Sequence, residues 1–265
     1  MFRTFAVGKV LGIPVRIQGL FVVFFALLGG WSLAAEGPSR GLATVLVLAG
    51  AFFFVVVHEF GHALVARKLG VDVVDITIWP LGGMARLENV PCAGATEIII
   101  SAAGPAVNLL IAPVLLLAYE LAVAIGIAYA HPLLVLAWIN LLLAGFNVIP
   151  AFPLDGGRIL RCLLARPLGF DRATRVCATL ARVIAVALCF GAFFGHLSFL
   201  AIVAVFIFIA AGHEVRSSRW DEEEDDDPAF DSPASGRCRV ELAPLRRPVR
   251  SPSTEQWSDC DPSHP

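Results

Sequence analysis

The sequence predicts an all-α polytopic membrane protein, with six transmembrane helices and a short membrane-associated β-hairpin between the second and third spans. Three observations predict it. Apolar residues make up 57% of the 265 residues and charged ones 16%, with a mean hydropathy of +0.77, a balance foreign to soluble domains. Long apolar runs recur along the chain, and crossing a hydrocarbon core about 30 Å thick takes roughly 20 helical residues. Lys and Arg gather in alternate connections between those runs, as the positive-inside rule requires of a multi-pass protein.

Taken in order, the N-terminal stretch "MFRTFAVGKVLGIPVRIQG" has short apolar patches broken by Lys9 and Arg16. It lacks the pattern of a cleaved signal peptide. The predicted spans are about 19–35, 42–66, 98–119, 132–149, 174–192 and 197–213. Arg3, Lys9 and Arg16 precede the first, Arg67 and Lys68 follow the second, and Arg158, Arg161, Arg166, Arg172 and Arg175 follow the fourth. Arg216 and Arg219 follow the sixth, whereas the connection between spans one and two offers only Arg40. This bias predicts a multi-pass protein of the cell membrane with both termini in the cytoplasm.

Between spans two and three, residues 71–79 are rich in Val and Ile and lead into "PLGG". That pattern favours a hairpin over a helix, and the 71–79 edge is a place where an extended peptide can add as a strand. From Ser217 the chain turns acidic ("DEEEDDD", Asp221 to Asp227) and then rich in Pro, Ser and Arg. The expected organisation is a transmembrane domain over 1–216 and a disordered cytoplasmic tail over 217–265. The acidic run also explains a net charge of -2 on a chain whose membrane portion is basic. The cysteines (Cys92, Cys162, Cys177, Cys189, Cys238 and Cys260) form no close pair, so neither a disulfide framework nor a cysteine zinc site is indicated.

The second span carries the chemistry, in "HEFGH". On a helix His58 and His62 share a face. Both imidazoles reach one zinc ion, with Glu59 beside them to take a proton from water. Ionisable residues at membrane depth are expensive and read as functional; the plain alternative is a pair of histidines bonding between helices beside a neutral Glu59. His131, His196 and His213 lie at span ends and are expected to be interfacial. A catalytic zinc usually takes three protein ligands, and the candidate for the third is Asp155 in "NVIPAFPLDGGRILR". By the charge rule it falls at a depth similar to the histidines. Pro150 and Pro153 interrupt the helix, and Gly156 and Gly157 let the backbone turn back. The competing reading makes Asp155 a helix cap.

HEFGH in a span, then "SAAGPAVNLLIA" and "NVIPAFPLDGGRIL", resembles the site-2 protease family of intramembrane zinc metalloproteases, especially its compact six-span prokaryotic branch related to sporulation-factor proteases. "GIPVRI" and "WPLGGMARLE" extend the resemblance over roughly residues 8 to 213. The resemblance implies His58, His62 and Asp155 as ligands of one Zn2+ per chain and Glu59 as catalytic base. It gives Asn147 a supporting role near substrate or oxyanion, and Asn108, in G-P-x-x-N, an interhelical or substrate contact. It places Gly82 and Gly83 in a supporting, membrane-associated hairpin. The expected activity is zinc-dependent endoproteolysis within or near transmembrane segments of single-span or hairpin proteins, such as anti-sigma factors or signal-peptide remnants. The bilayer is the surrounding medium, and no nucleic-acid partner is expected. A metal transporter or a non-catalytic membrane chaperone on the same scaffold are the rival readings. The outer halves of the spans offer a transport pathway almost no further ligands, and a chaperone would tolerate loss of Glu59.

Overall fold

Five helices of the computed structural model are long and apolar enough to cross a membrane: α1 (Gly19–Glu36), α2 (Pro38–Lys68), α3 (Ala95–Ala124), α4 (His131–Val148) and α6 (Phe170–Phe194). A shorter amphipathic helix, α5 (Asp155–Leu168), precedes the last of them. The structure describes residues 4–80, 82–88, 90–91, 94–127, 129–195, 204–212 and 237–238. The five helices coincide with the first five predicted spans, and the chain is a multi-pass membrane protein. The predicted sixth span, 197–213, lies partly outside the described residues. Its 204–212 portion is helical and packs Ile207 and Ala211 against Cys177, Ala181 and Ala185 of α6. Five candidate spans therefore stand among the described residues, where six were expected. The expected disordered tail also lies outside them, apart from Arg237–Cys238, which pairs with Val90–Pro91.

The fold is not all-α. A four-stranded sheet in the order β1-β2-β3-β4 covers one end of the bundle, from β1 (Thr4–Val10), β2 (Ile13–Gln18), β3 (Asp72–Trp79) and β4 (Gly82–Glu88). The expected hairpin is β3–β4. The N-terminal hairpin beside it was not expected, since the sequence reading assigns no secondary structure to residues 1–18. Leu11 (φ 52) and Gly12 (φ 84) form its two-residue loop, both in the left-handed region that twists a hairpin correctly. β2 then pairs in parallel with β3, Val15 opposite Ile76. Parallel pairing needs a long crossover connection, usually a helical one, and α1 and α2 supply it. Consequently β3 has a neighbour on each side, and the 71–79 edge expected to accept a peptide is covered. The outermost strand on that side is β4.

Local chemistry fixes how the sheet meets the helices. α2 ends in a Schellman motif: Val71 N–H donates to the Ala66 carbonyl (2.9 Å) and Gly70 N–H to that of Arg67 (3.2 Å), with Gly70 at φ 78. The turn drops Val71 into a cluster with Ala66, Leu87 and Ile100, joining α2, β4 and α3. Ile13, Ile76 and Ala85 pack on Ala63 of α2. Asp75, wholly buried on β3, takes a bidentate pair from Arg86 of β4 and a 3.3 Å contact from Arg16 of β2. Arg67 of α2 donates to the Leu11 carbonyl in the hairpin loop (2.6 Å).

Within the bundle small residues face inward and large ones outward. Ala63, Ala112, Ala137 and Ala181 are 0% exposed, whereas Leu110 is 72% and Phe193 76% exposed. Lipid tails are as apolar as Leu, so helices in a bilayer associate through close backbone packing rather than by hiding large side chains. Gly61, between the two histidines, is such a point: a Cβ there would lie 3.0 Å from the Ala103 carbonyl oxygen of α3. Gly61→Leu should therefore force α2 off α3 and destabilise by about 1–3 kcal/mol, as overpacking does. Gly145→Leu, where a Cβ meets nothing within 4 Å, should leave thermal unfolding in detergent unchanged.

Candidate metal centre

His58, Glu59 and His62 lie on α2 where it passes beneath the sheet, and all three are buried. Their helical spacing turns both imidazoles toward α3 and the start of α5. His58 Nε2 and His62 Nε2 are 3.2 Å apart, and Asp155 Oδ2 lies 3.3 Å from the first and 3.2 Å from the second. Asp155 does begin α5, but the cap is Leu154 and no side chain bonds the helix N-terminus. The capping reading fails, and the carboxylate points at the histidines instead. Ligand atoms of the three residues all lie within 4.8 Å of one another.

The loop between α4 and α5 delivers Asp155, and its glycines act differently from the expectation. Gly156 and Gly157 are helical rather than turning the chain. A Cβ on Gly156 would run into the Val148 carbonyl, and one on Gly157 would lie 2.6 Å from the Ala151 backbone. They let the preceding loop fold back against the first turn of α5, and Phe152 of that loop is buried with α6.

The donor set suits a cation. His62 Nδ1 lies 2.7 Å from the Ile100 carbonyl, which can only accept, so Nδ1 carries a proton and the neutral ring presents its lone pair at Nε2. The Asp155 Oδ2 it faces is buried and lacks a hydrogen bond. With the ring neutral, two such lone-pair atoms at 3.2 Å repel, and a metal cation shared between them turns both into ligands. His58 Nδ1 lies 2.8 Å from Asn108 Oδ1; an amide can present either end, so this contact alone leaves the His58 tautomer open. Gly104 keeps the space clear, since a Cβ there would collide with His62 Nε2 and come within 2.7 Å of His58 Nε2.

The remaining expected residues fall around this point. Glu59 Oε2 accepts from Ala85 N–H of β4 (3.1 Å), and a Cβ on Gly83 would run into the Glu59 side chain. The glycine thus lets β4 lie flat on Glu59. Gly82 opens the same strand opposite Trp79, without a described contact to the triad. Asn147 is half-buried and donates to the Leu143 carbonyl of its own helix (2.8 Å).

Sequence reasoning missed four contributors. Ile100 and Ala85 act through backbone atoms, which no side-chain pattern reveals. Asn140 bonds Asn108. Glu97 of α3 accepts from Arg161 (2.5 Å) and Cys162 (3.0 Å) of α5, with the guanidinium 4.9 Å from the Phe170 ring centre. Burial, then the Glu97 charge, push the Cys162 thiol up to about 12. It stays a protonated donor to Glu97 rather than a rival ligand. Glu97, an acid inside an apolar helix, was the available signal.

A bundle of membrane-spanning helices that closes an H-E-x-x-H helix and an incoming Asp around one cation position defines a membrane-embedded metallopeptidase scaffold. Comparison with known proteins gives its family: the model of peptidase family M50 matches residues 46–124 and 117–190, and the chain belongs to that family. It is 36% identical over 212 residues to a zinc metalloprotease of Methanocaldococcus jannaschii, covering 78% of this chain and 59% of the relative. It is 28% identical over 149 residues to the stage IV sporulation protein FB of Bacillus subtilis, covering 55% of this chain and 49% of that protein. The chain thus spans between half and three-fifths of these curated relatives. The solved site-2 protease from M. jannaschii superposes with a TM-score of 0.63 at 30% identity, over 80% of this chain and 95% of that one.

Two substitutions test the centre. Asp155→Ala should lose most bound metal by removing a ligand, and Gly104→Ala should do so with every ligand intact, by filling the cation position. Metal content of detergent-purified variants checks both; full metal in Gly104→Ala would mean that the cation sits elsewhere.

Proposed function

We propose that this protein is a zinc-dependent intramembrane endopeptidase that hydrolyses peptide bonds within or near transmembrane segments of membrane proteins. The observation that carries the reading is Glu59. Its carboxylate is buried beside the ligand triad and held by the Ala85 N–H, yet it is not one of the three convergent groups. Two imidazoles and one carboxylate are a donor set of catalytic zinc, and the M. jannaschii relative is named a zinc metalloprotease.

When bound, zinc polarises a carbonyl and lowers the pKa of water. The protein's own residues do the rest. Glu59 accepts a proton from the attacking water and returns it to the departing amine nitrogen. The Ala85 bond holds one carboxylate oxygen and leaves the other to move the proton. The substrate segment must leave its helix before its carbonyl can be attacked, and β4 offers an outermost strand beside Glu59 on which an extended peptide can lie. Gly82 and Gly83 keep that approach close. Asn147 exchanges its Leu143 bond for a contact to a substrate carbonyl, and Asn108 holds His58. We assign it single-span or hairpin membrane proteins as substrates, with anti-sigma factors and signal-peptide remnants as the examples that the family resemblance suggests. Both termini are assigned to the cytoplasm, from which water reaches the site, and the tail from Ser217 is assigned no part in catalysis.

A transport pathway needs a succession of ligand groups, and among the described residues the triad is the one cluster of three or more potential metal ligands. A chaperone has no use for a braced base.

Glu59→Gln should keep fold and zinc yet lower cleavage of a co-expressed, tagged single-span protein by roughly 10²–10⁴-fold. Equal cleavage by mutant and wild type would remove Glu59 from the mechanism. Topology reporters fused at residue 38 and at residue 170 should read outside and inside; the reverse pattern would invert the orientation.

A further inference from the structure

We propose that Asn140, on α4, is a positioning residue that sets the tautomer of His58 through Asn108, so that a zinc ligand on α2 is controlled by a carbonyl two helices away. The inference rests on the metal-centre reading above.

The chain of contacts has four members. Asn140 Nδ2 donates to the Leu136 carbonyl (2.9 Å), Asn108 Nδ2 donates to Asn140 Oδ1 (2.9 Å), and Asn108 Oδ1 faces His58 Nδ1 (2.8 Å). Each amide alone could be turned end for end. The Leu136 carbonyl removes that freedom, because a carbonyl can only accept. It requires the amide nitrogen of Asn140, which leaves Oδ1 for Asn108. That oxygen in turn requires the Asn108 nitrogen, which leaves the Asn108 oxygen for His58. His58 must then carry its proton on Nδ1, and its Nε2 lone pair points at Asp155 and His62. Asn108 and Asn140 are both 0% exposed, so bulk solvent does not compete for either amide and reversing the chain would leave buried groups unpaired. The fixed end therefore lies at Leu136, and Asn140 transmits it.

The test uses full-length protein in detergent, with zinc affinity measured by chelator competition and folding by thermal unfolding. Asn108→Leu should weaken zinc binding about 10–100-fold, the usual cost of losing a partner behind a metal-bound histidine. Asn140→Leu should weaken it several-fold or more, and the double variant should bind no worse than Asn108→Leu alone, because Asn140 acts only through Asn108. Asn140→Thr covers the case in which the apolar variant fails to insert. Its hydroxyl can still bond the Leu136 carbonyl but is too short to hold Asn108, so it too should lose affinity while folding normally. Wild-type affinity in Asn140→Thr, or fold-losses that multiply in the double variant, would overturn the relay. A wild-type protein that binds no zinc would instead overturn the metal centre, and the relay with it.

Discussion

One stripe of α3 orients both histidines of the metal centre and anchors the helix that carries its aspartate. Glu97, Ile100, Gly104 and Asn108 recur at helical spacing and are buried together. Ile100 offers its carbonyl to His62, Asn108 its side chain to His58, and Glu97 holds α5 through Arg161. Gly104, between them, contributes the absence of a side chain. Three atoms with lone pairs do not converge by themselves, because they repel until a cation joins them. The scaffold must hold them there in advance, and α3 does so from the rear of both histidines and through the Glu97–Arg161 pair on the helix that carries Asp155.

That arrangement has a cost in a bilayer, where a polar group without a partner is penalised more than in a soluble core. Outside the cation position the protein meets much of it by pairing. The imidazole nitrogens turned away from the centre both have partners, and Glu97 and Asp75 each sit against arginine. Small residues make the pairing possible. Gly61 lets α2 and α3 approach until an imidazole can reach the neighbouring backbone, and Gly83 lets β4 reach Glu59. Large apolar side chains are turned to lipid, where they need no specific partner.

What could be read from the sequence follows from how each feature is encoded. H-E-x-x-H is local, so spacing alone places both histidines on one face. Hydropathy is local too, and the first five spans emerge with small shifts at their ends. Asp155 was legible because prolines and glycines mark the loop that carries it, although the glycines serve close packing rather than reversal. The N-terminal strands were not legible. "TFAVGKV" alternates poorly, is interrupted by Gly8, and acquires strand identity only because β2 pairs with β3 across two intervening helices. Ile100 and Ala85 were invisible for a different reason: their contribution is a backbone group, and any residue at those positions supplies one. Asn140 was overlooked as one polar residue in an apolar run, although at membrane depth such a residue asks for a partner.

The central claim is that His58 Nε2, His62 Nε2 and an Asp155 carboxylate oxygen hold one zinc ion, with both histidines fixed from behind by α3. Anomalous diffraction at the zinc edge from crystals of the full-length protein tests it most directly. The expected result is a single peak about 2.0–2.2 Å from each of those three atoms, with Ile100 and Asn108 still on the Nδ1 nitrogens. A peak bound through Nδ1 of either histidine, or one to which Asp155 contributes nothing, would contradict it.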